Sequence, residues 1–251
     1  MDLSVFTYNS HLFGNWYMYK FFRLEFLDNT RFKKIIFNLY SANIDIICLQ
    51  EVWSDKFLNV ITKTFGDRYN IYNPNKYSGL VILSKYEILN SYFEKFNENQ
   101  YSDSLVNKGF GFITIKHKLK LIDIFFTHTH SSYDLTLKNI FQMKNKINLS
   151  NNSIIICGDL NLEPKVINEI FPNYKINNYN ITCSNNNILF KKFQKDSKNC
   201  KLDYILTDKS LKKKYSESGP EIIINNKKFS FKVNNIDCSD HYPIYAQFNI
   251  I

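Results

Sequence analysis

The 251-residue chain contains only seven glycines and five prolines, and no stretch rich in Pro, Gly or Ser divides it. Without a linker, and with motifs at both ends that need each other, it is expected to fold as one domain over residues 1–251. Its cysteines (Cys48, Cys157, Cys183, Cys200 and Cys238) are odd in number and lack C-x-x-C spacing. That argues against a disulfide framework and against a zinc site, and it favours a reducing cytosol. No apolar run approaches the roughly 18 residues needed to cross a bilayer, so any membrane contact is expected to be peripheral. Met1 to Asn9 already reads as a strand, with no basic segment followed by a long apolar one. The chain is therefore expected to stay where it is made, in the cytoplasm. No internal repeat is visible, and nothing in the composition indicates an oligomeric state.

Acidic residues are the scarcer charge: 23 Asp and Glu stand against 32 Lys and Arg, a formal charge of +9, and the pI is near 9.1. This excess favours a polyanionic partner, either nucleic acid or an acidic membrane surface. The lysines are spread along the chain instead of forming one block, so solubility alone would also account for them. Charge does not choose between DNA and lipid.

What is present is a succession of apolar runs that end in polar residues. Leu3, Val5, Phe6 and Tyr8 make a strand that stops at Asn9. Phe32, Ile35, Ile36, Leu39 and Tyr40 recur at helical spacing between Asp28 and Ala42. Asp45 to Leu49 is a short buried strand that delivers Gln50 and Glu51, after which Ser54 and Asp55 open a helix with Phe57, Leu58 and Ile61 on its inner face. Further strands are predicted over Gly79 to Leu83, Gly109 to Ile115, Leu121 to Phe126, Ile154 to Cys157, Leu202 to Leu206 and Ile244 to Phe248. Helices are predicted from Asp134 to Ile147 and from Pro164 to about Phe171. The Asn-rich stretch Asn173 to Asn187 reads as a loop, and Ile222 to Ile224 with Phe229 to Val233 as a hairpin around Asn225 and Asn226. The dense aromatic stretch Trp16 to Phe26 reads as a core-facing loop and helix. Strands alternate with helices early on, but long excursions argue against a purely parallel sheet, and mixed sheets with helices outside are the simplest packing.

Six polar motifs stand in order at the strand ends: Tyr8-Asn9, Leu49-Gln50-Glu51-Val52-Trp53, Thr127-His128-Thr129-His130, Gly158-Asp159-Leu160-Asn161, Leu202-Asp203-Tyr204 and Ser239-Asp240-His241. The last places an anionic oxygen ligand beside a proton acceptor at one strand mouth, a pair able to activate water. Together the motifs resemble the endonuclease/exonuclease/phosphatase superfamily, metal-dependent hydrolases of phosphate esters, from Leu3 to Phe248. The resemblance implies a four-layer α/β sandwich, with two mixed β-sheets packed face to face and helices outside. It implies Mg²⁺, with Mn²⁺ or Co²⁺ as substitutes, held by Glu51 with Asn9 and Asp240 in support. By the same pattern His241 is the general base, since a neutral imidazole with a pKa of about 6.5 accepts a proton at physiological pH. Asp203 holds its tautomer. Asp159 and Asn161 orient water and donate to a phosphate oxygen, and His128 donates to the phosphoryl group or protonates the leaving group.

Narrower features are similar to the neutral sphingomyelinase branch. They are Ser104-Leu105-Val106-Asn107-Lys108-Gly109-Phe110, Glu51 to Ser54, Ser78 to Lys85, Thr127 to Tyr133 and Gly158 to Pro164. That likeness implies cleavage of sphingomyelin or a related choline phospholipid to ceramide or another lipid alcohol plus phosphocholine. It adds Asn107, Lys108 and His130 as substrate-binding residues and a phospholipid membrane surface as partner. The chain departs from secreted members in Gly219 to Asn235, where an aromatic membrane-inserting hairpin would lie: it offers only Phe229 and Phe231, no Trp, and many Lys and Asn. Deep insertion is not expected. Two alternatives stay open: a nuclease or DNA-repair phosphodiesterase of the same superfamily, and a catalytically silent member that binds membranes or nucleic acid.

Overall fold

In the strand Leu3–Leu12, Leu3 and Val5 pack into one apolar cluster and Phe6 and Tyr8 into another, all of them closed to solvent. A strand buried on both faces must lie between two layers. The computed structural model describes residues 2–12, 25–75, 77–98, 106–178, 180–193 and 198–250. One six-stranded sheet runs in the order Leu211–Ser218, Ile244–Ile250, Leu3–Leu12, Ile46–Val52, Val81–Ser84, Asn70–Tyr72. The other runs Ile88–Lys95, Gly109–His117, Lys120–His128, Ser153–Asp159, Asp203–Thr207, Lys175–Ile176. The third and fourth strands of each order are parallel and every other neighbouring pair is antiparallel. The two sheets thus repeat one pattern of directions although the sequence shows no repeat.

Between the sheets, Leu3, Val5, Ile46, Cys48, Ile244 and Ala246 meet Ile113, Ile124, Phe126, Ile155, Cys157 and Ile205. Outside the first sheet, Phe6, Ile47 and Leu49 are covered by Phe32, Ile35 and Leu39 of the helix Glu25–Ala42 and by Phe57, Ile61 and Phe65 of the helix Asp55–Phe65. Outside the second, Phe125, Ile156 and Tyr204 are covered by Ile140 and Met143 of the helix Tyr133–Ile147 and by Ile167 and Ile170 of the helix Pro164–Ile170. Each fully buried aliphatic or Phe side chain contributes roughly 1.5–3 kcal/mol. Helix, sheet, sheet and helix are the four expected layers.

The edges differ most from the sequence pattern. Leu211–Ser218 is a full strand of mostly polar, exposed or half-exposed side chains, and in the full strand Ile88–Lys95 the apolar residues Ile88, Leu89, Tyr92 and Phe93 stand in adjacent pairs instead of alternating with the polar ones. Polar edges resist pairing with other chains, but they erase the apolar alternation by which a strand is read. The Asn-rich loop holds a two-residue strand, Lys175–Ile176. The hairpin turns at the expected Asn225 and Asn226, which take φ of 51° and 63° and join Glu221–Ile224 to Lys227–Ser230 by a turn that requires left-handed residues; the expected second arm, Phe229 to Val233, is divided, with Lys232–Val233 pairing instead with Ile236–Asp237. Its aromatics face inward, with the Phe231 ring centroid 5.8 Å from Phe6 and 5.5 Å from Tyr8. They are core anchors. The stretch Trp16 to Phe26 lies outside the described residues except for the backbone of Glu25 and Phe26. No helix among the described residues is long and apolar enough to cross a membrane.

Candidate active site

Side chains on a strand alternate, so strands that point Val5, Phe126, Cys157 and Ile205 between the sheets point residues at even spacing the same way. Those residues are Asn9, His128, Asp159 and Asp203. The parallel strands end at one edge, where Asp203 pairs with Asp159 and His128 pairs with Asp159 in register. His241 arrives there just before the last strand. Gly158 makes the close approach possible: its φ is +133°, and a Cβ would lie 2.0 Å from the Thr127 carbonyl oxygen.

Glu51 does not follow the alternation, because Ile46 and Cys48 already assign the inner face to Gln50. A left-handed backbone, φ 60°, and a register shift between Asn9 and Leu12 re-aim its carboxylate. Such a conformation is costly for a non-glycine residue and is held only by its surroundings. Here Val52 N–H donates to the Gly79 carbonyl at 3.0 Å and Trp53 N–H to that of Leu12 at 3.1 Å. Gly79 lies under the Trp53 ring, where a Cβ would be 2.7 Å from it.

The polar groups interlock. Asn9 Nδ2 donates to Glu51 Oε1 and to Asp159 Oδ2, each at 3.0 Å. His241 Nδ1 is 2.7 Å from Asp203 Oδ2, and its Nε2 is 3.7 Å from Asp159 Oδ2. His128 Nε2 lies 3.8 Å from Glu51 Oε1 and 3.7 Å from Asp159 Oδ2. Lys108 Nζ reaches His128 Nε2 at 3.2 Å and donates to the Thr129 carbonyl at 3.1 Å. An ammonium can only donate, so Nε2 accepts and the ring proton sits on Nδ1. Asn161, also left-handed at φ 48°, donates its N–H to Asp159 Oδ1 at 3.0 Å and its side-chain amide to the Thr129 carbonyl at 3.3 Å. Ser239 Oγ donates to the Asn9 carbonyl at 2.6 Å, which ties the last motif to the first.

Charge is distributed unevenly across this buried cluster. Burial pushes the Asp159 carboxyl up, Asp203 beside it pushes further, and it stands at about 7. Burial would raise Glu51 too, but His11, His128 and Lys108 hold it well below the usual carboxylate range. Burial, then Lys108, keeps His128 far below the usual imidazole value. Against burial, Asp203 and Asp159 lift His241 well above it.

The structure thus brings together Asn9, Glu51, Lys108, His128, Asp159, Asn161, Asp203, Asp240 and His241. Two further predicted residues, Asn107 and His130, are tied into local structure. Asn107 is fixed to a turn, its N–H donating to the Tyr77 carbonyl at 2.8 Å and its amide 3.5 Å from Asn75 Oδ1. His130 Nδ1 accepts the Ser132 N–H at 2.9 Å at the start of the following helix. The neighbouring Ser104 and Leu105 lie outside the described residues. Two residues in the cluster were missed. His11 Nδ1 stands 3.3 Å from Asp240 Oδ1 and 3.6 Å from Glu51 Oε2; its place two residues beyond Asn9 was the available signal. Cys183 Sγ stands 3.5 Å from His241 Nδ1, brought there by the Asn-rich loop, where no pattern pointed to it.

The sequence model of the Endonuclease/Exonuclease/phosphatase family matches residues 7–241, from the first strand to the His241 motif. The chain belongs to this family. A Drosophila melanogaster protein described as "Putative neutral sphingomyelinase" is 28% identical over 114 residues, 41% of this chain and 26% of that relative. The match therefore spans about a quarter of the relative's length. Sphingomyelinase C from Streptomyces griseocarneus superposes with a TM-score of 0.75 at 16% identity, covering 99% of this chain and 100% of the other. D. rerio TDP2 complexed with single strand DNA product gives 0.72 at 15% identity, covering 99% of each. Both structures share the fold of this endonuclease/exonuclease/phosphatase domain.

The divalent cation that the family implies needs hard oxygen donors. In this family member Glu51 Oε2 is buried with no hydrogen-bond partner, beside the carboxylate of Asp240 across His11 and the amide of Asn9. His11 Nδ1 is 3.6 Å from that oxygen but no donor is within hydrogen-bond distance; an ionised, buried oxygen without a hydrogen bond is costly, and a cation would satisfy it. The residues fit the group.

Proposed function

We propose that this cluster is the active site of a Mg²⁺-dependent phosphodiesterase of phospholipase C type, which cleaves sphingomyelin or a related choline phospholipid to a lipid alcohol and phosphocholine. The observation that carries the chemistry is His241 bonded to Asp203 at 2.7 Å beside a Glu51 oxygen that is buried and accepts no hydrogen bond. Held by Glu51, with Asn9 and Asp240 around it, Mg²⁺ would polarise a phosphoryl oxygen and acidify a bound water.

The chain's own groups do the rest. Asp203 accepts the Nδ1 proton of His241, and the carboxylates beside it raise the ring's proton affinity well above that of a free imidazole. Nε2 therefore takes the proton of the attacking water only in the fraction of molecules that has first released its own, a fraction that grows with pH. The imidazolium that forms lies between two carboxyl groups, and its charge is matched as it appears. Asp159, poised at about 7, exchanges a proton with that water or with the leaving oxygen. Lys108 supplies a fixed positive charge for the phosphoryl oxygens and keeps His128 neutral. Asn161 orients Asp159.

For the substrate, the support is the Asn107-Lys108-Gly109-Phe110 segment, which delivers Lys108 into the cluster, together with the neutral sphingomyelinase relative. The nuclease reading is favoured by the charge of +9 and the likeness to TDP2. Charge is the weaker discriminator, because anionic lipid attracts surface Lys and Arg at about 1 kcal/mol each. The protein would act as a peripheral enzyme at the cytoplasmic face. Phosphocholine release from sphingomyelin vesicles should require Mg²⁺, quicken with anionic lipid and slow at high salt. Release that is unchanged in EDTA would sink the reading.

A further inference from the structure

We propose that Cys183, Asp203 and His241 form a second cation site, distinct from the one at Glu51, that takes Zn²⁺ or a similar thiophilic ion, and that its occupation disables the catalytic base. Ligand atoms of Cys183, Asp203 and His241 lie within 4.8 Å of one another, and all three residues are buried. Cys183 pairs across isolated β-bridges with both Cys200 and His241, exchanging backbone hydrogen bonds with Cys200 at 3.0 Å each way. Cys200, the bridged neighbour, is only half-buried.

Geometry and chemistry select the ion. A tetrahedral zinc with bonds of about 2.3 Å to sulfur and about 2.0–2.1 Å to nitrogen holds those atoms roughly 3.5 Å apart. Cys183 Sγ and His241 Nδ1 are 3.5 Å apart here. Asp203 supplies an independent sign of a missing partner: Oδ2 serves His241, but Oδ1 is buried with no hydrogen-bond partner. Thiolate donors suit zinc and disfavour Mg²⁺, so the two ions would sort between this site and the oxygen cluster at Glu51. Binding needs no redox partner: each thiol that ligates gives its proton to water, and the imidazole ligates as the neutral base.

The consequence follows from the imidazole having one lone pair to offer. If Nδ1 holds the ion, its hydrogen bond to Asp203 is lost. If Nε2 holds it, the atom that should accept the water proton is occupied. In both cases His241 stops acting as a base. This inhibitory part rests on the proposed role of His241, whereas the site itself does not.

The test uses Co²⁺ as a spectroscopic probe on chelator-stripped protein kept reduced with a non-thiol reductant. Wild type should show a sulfur-to-cobalt charge-transfer band that survives in Glu51→Gln and vanishes in Cys183→Ala, with Cys183→Ser as the control for folding. With saturating Mg²⁺, added Zn²⁺ should suppress wild-type hydrolysis at least tenfold. Cys183→Ala should need about a hundredfold more Zn²⁺ for the same fractional loss of its own activity. No thiolate band in wild type, an undiminished band in Cys183→Ala, or equal zinc sensitivity of the two proteins would each overturn the proposal. If vesicles are not hydrolysed at all, the substrate reading fails and the cobalt band still decides the site.

Discussion

His241 and Asp203 are 38 residues apart and are carried by strands of different sheets, His241 from the segment leading into one of them, yet Nδ1 and Oδ2 meet at 2.7 Å. Asp203 opens a strand of one sheet and His241 precedes the last strand of the other, so the pair forms only when the sheets have packed. His241→Ala should lower turnover by roughly 10²–10⁴, the usual contribution of a general base. Asp203→Asn should fall in the same range, because the ring loses the acceptor that fixes its tautomer. Steady-state kinetics with circular dichroism as a folding control checks this, and near-normal turnover in Asp203→Asn would contradict it.

Glu51→Gln keeps the shape of the side chain and removes the charge for which the cation is needed. Mg²⁺ affinity measured by calorimetry should drop at least tenfold while the fold persists. Affinity equal to wild type would place the ion elsewhere.

Asp159 gives a stability prediction with a definite sign. Its carboxyl stands at about 7 in the folded protein against an ordinary 3.8, so between these values the folded state binds the proton more tightly than the unfolded chain. The stability this contributes is complete at low pH and is lost as pH rises through about 7. In EDTA, Asp159→Asn should gain on wild type from about pH 5 to about pH 8, by on the order of 2–4 kcal/mol at the upper end, while losing activity. Denaturant melts that show wild type the more stable at about pH 8 would refute the burial argument.

Lys108 tests the electrostatics around His128. Burial and the ammonium together hold that imidazole far below its ordinary value, so Lys108→Met should let it titrate at higher pH in an NMR series and lower kcat by roughly 10². A His128 resonance that does not move would remove Lys108 from the account.

Much of this was legible in the sequence because a two-residue period carries two messages at once. The apolar residues Val5, Phe126 and Cys157 announce which face is inside, and Asn9, His128 and Asp159 continue that face to the edge of the core. Glu51 was legible only as the end of an apolar run; its left-handed backbone and bulge could not be read locally. The edge strand Leu211–Ser218 carries mostly polar side chains, and Ile88–Lys95 carries its apolar ones in adjacent pairs, so neither leaves an alternation to read. Cys183 and Cys200, 17 positions apart, had no spacing that marks a metal site. Their bridge and their approach to His241 are products of tertiary packing.

The central claim is that the cluster hydrolyses a choline phospholipid and not nucleic acid, and one competition reaction tests it most directly. Sphingomyelin in anionic mixed vesicles and duplex DNA with an abasic site are offered together at equal phosphodiester concentration with Mg²⁺, and both product sets are followed. The account predicts that phosphocholine accumulates while the DNA stays intact, and that Glu51→Gln releases neither product. Cleaved DNA with no phosphocholine would contradict it.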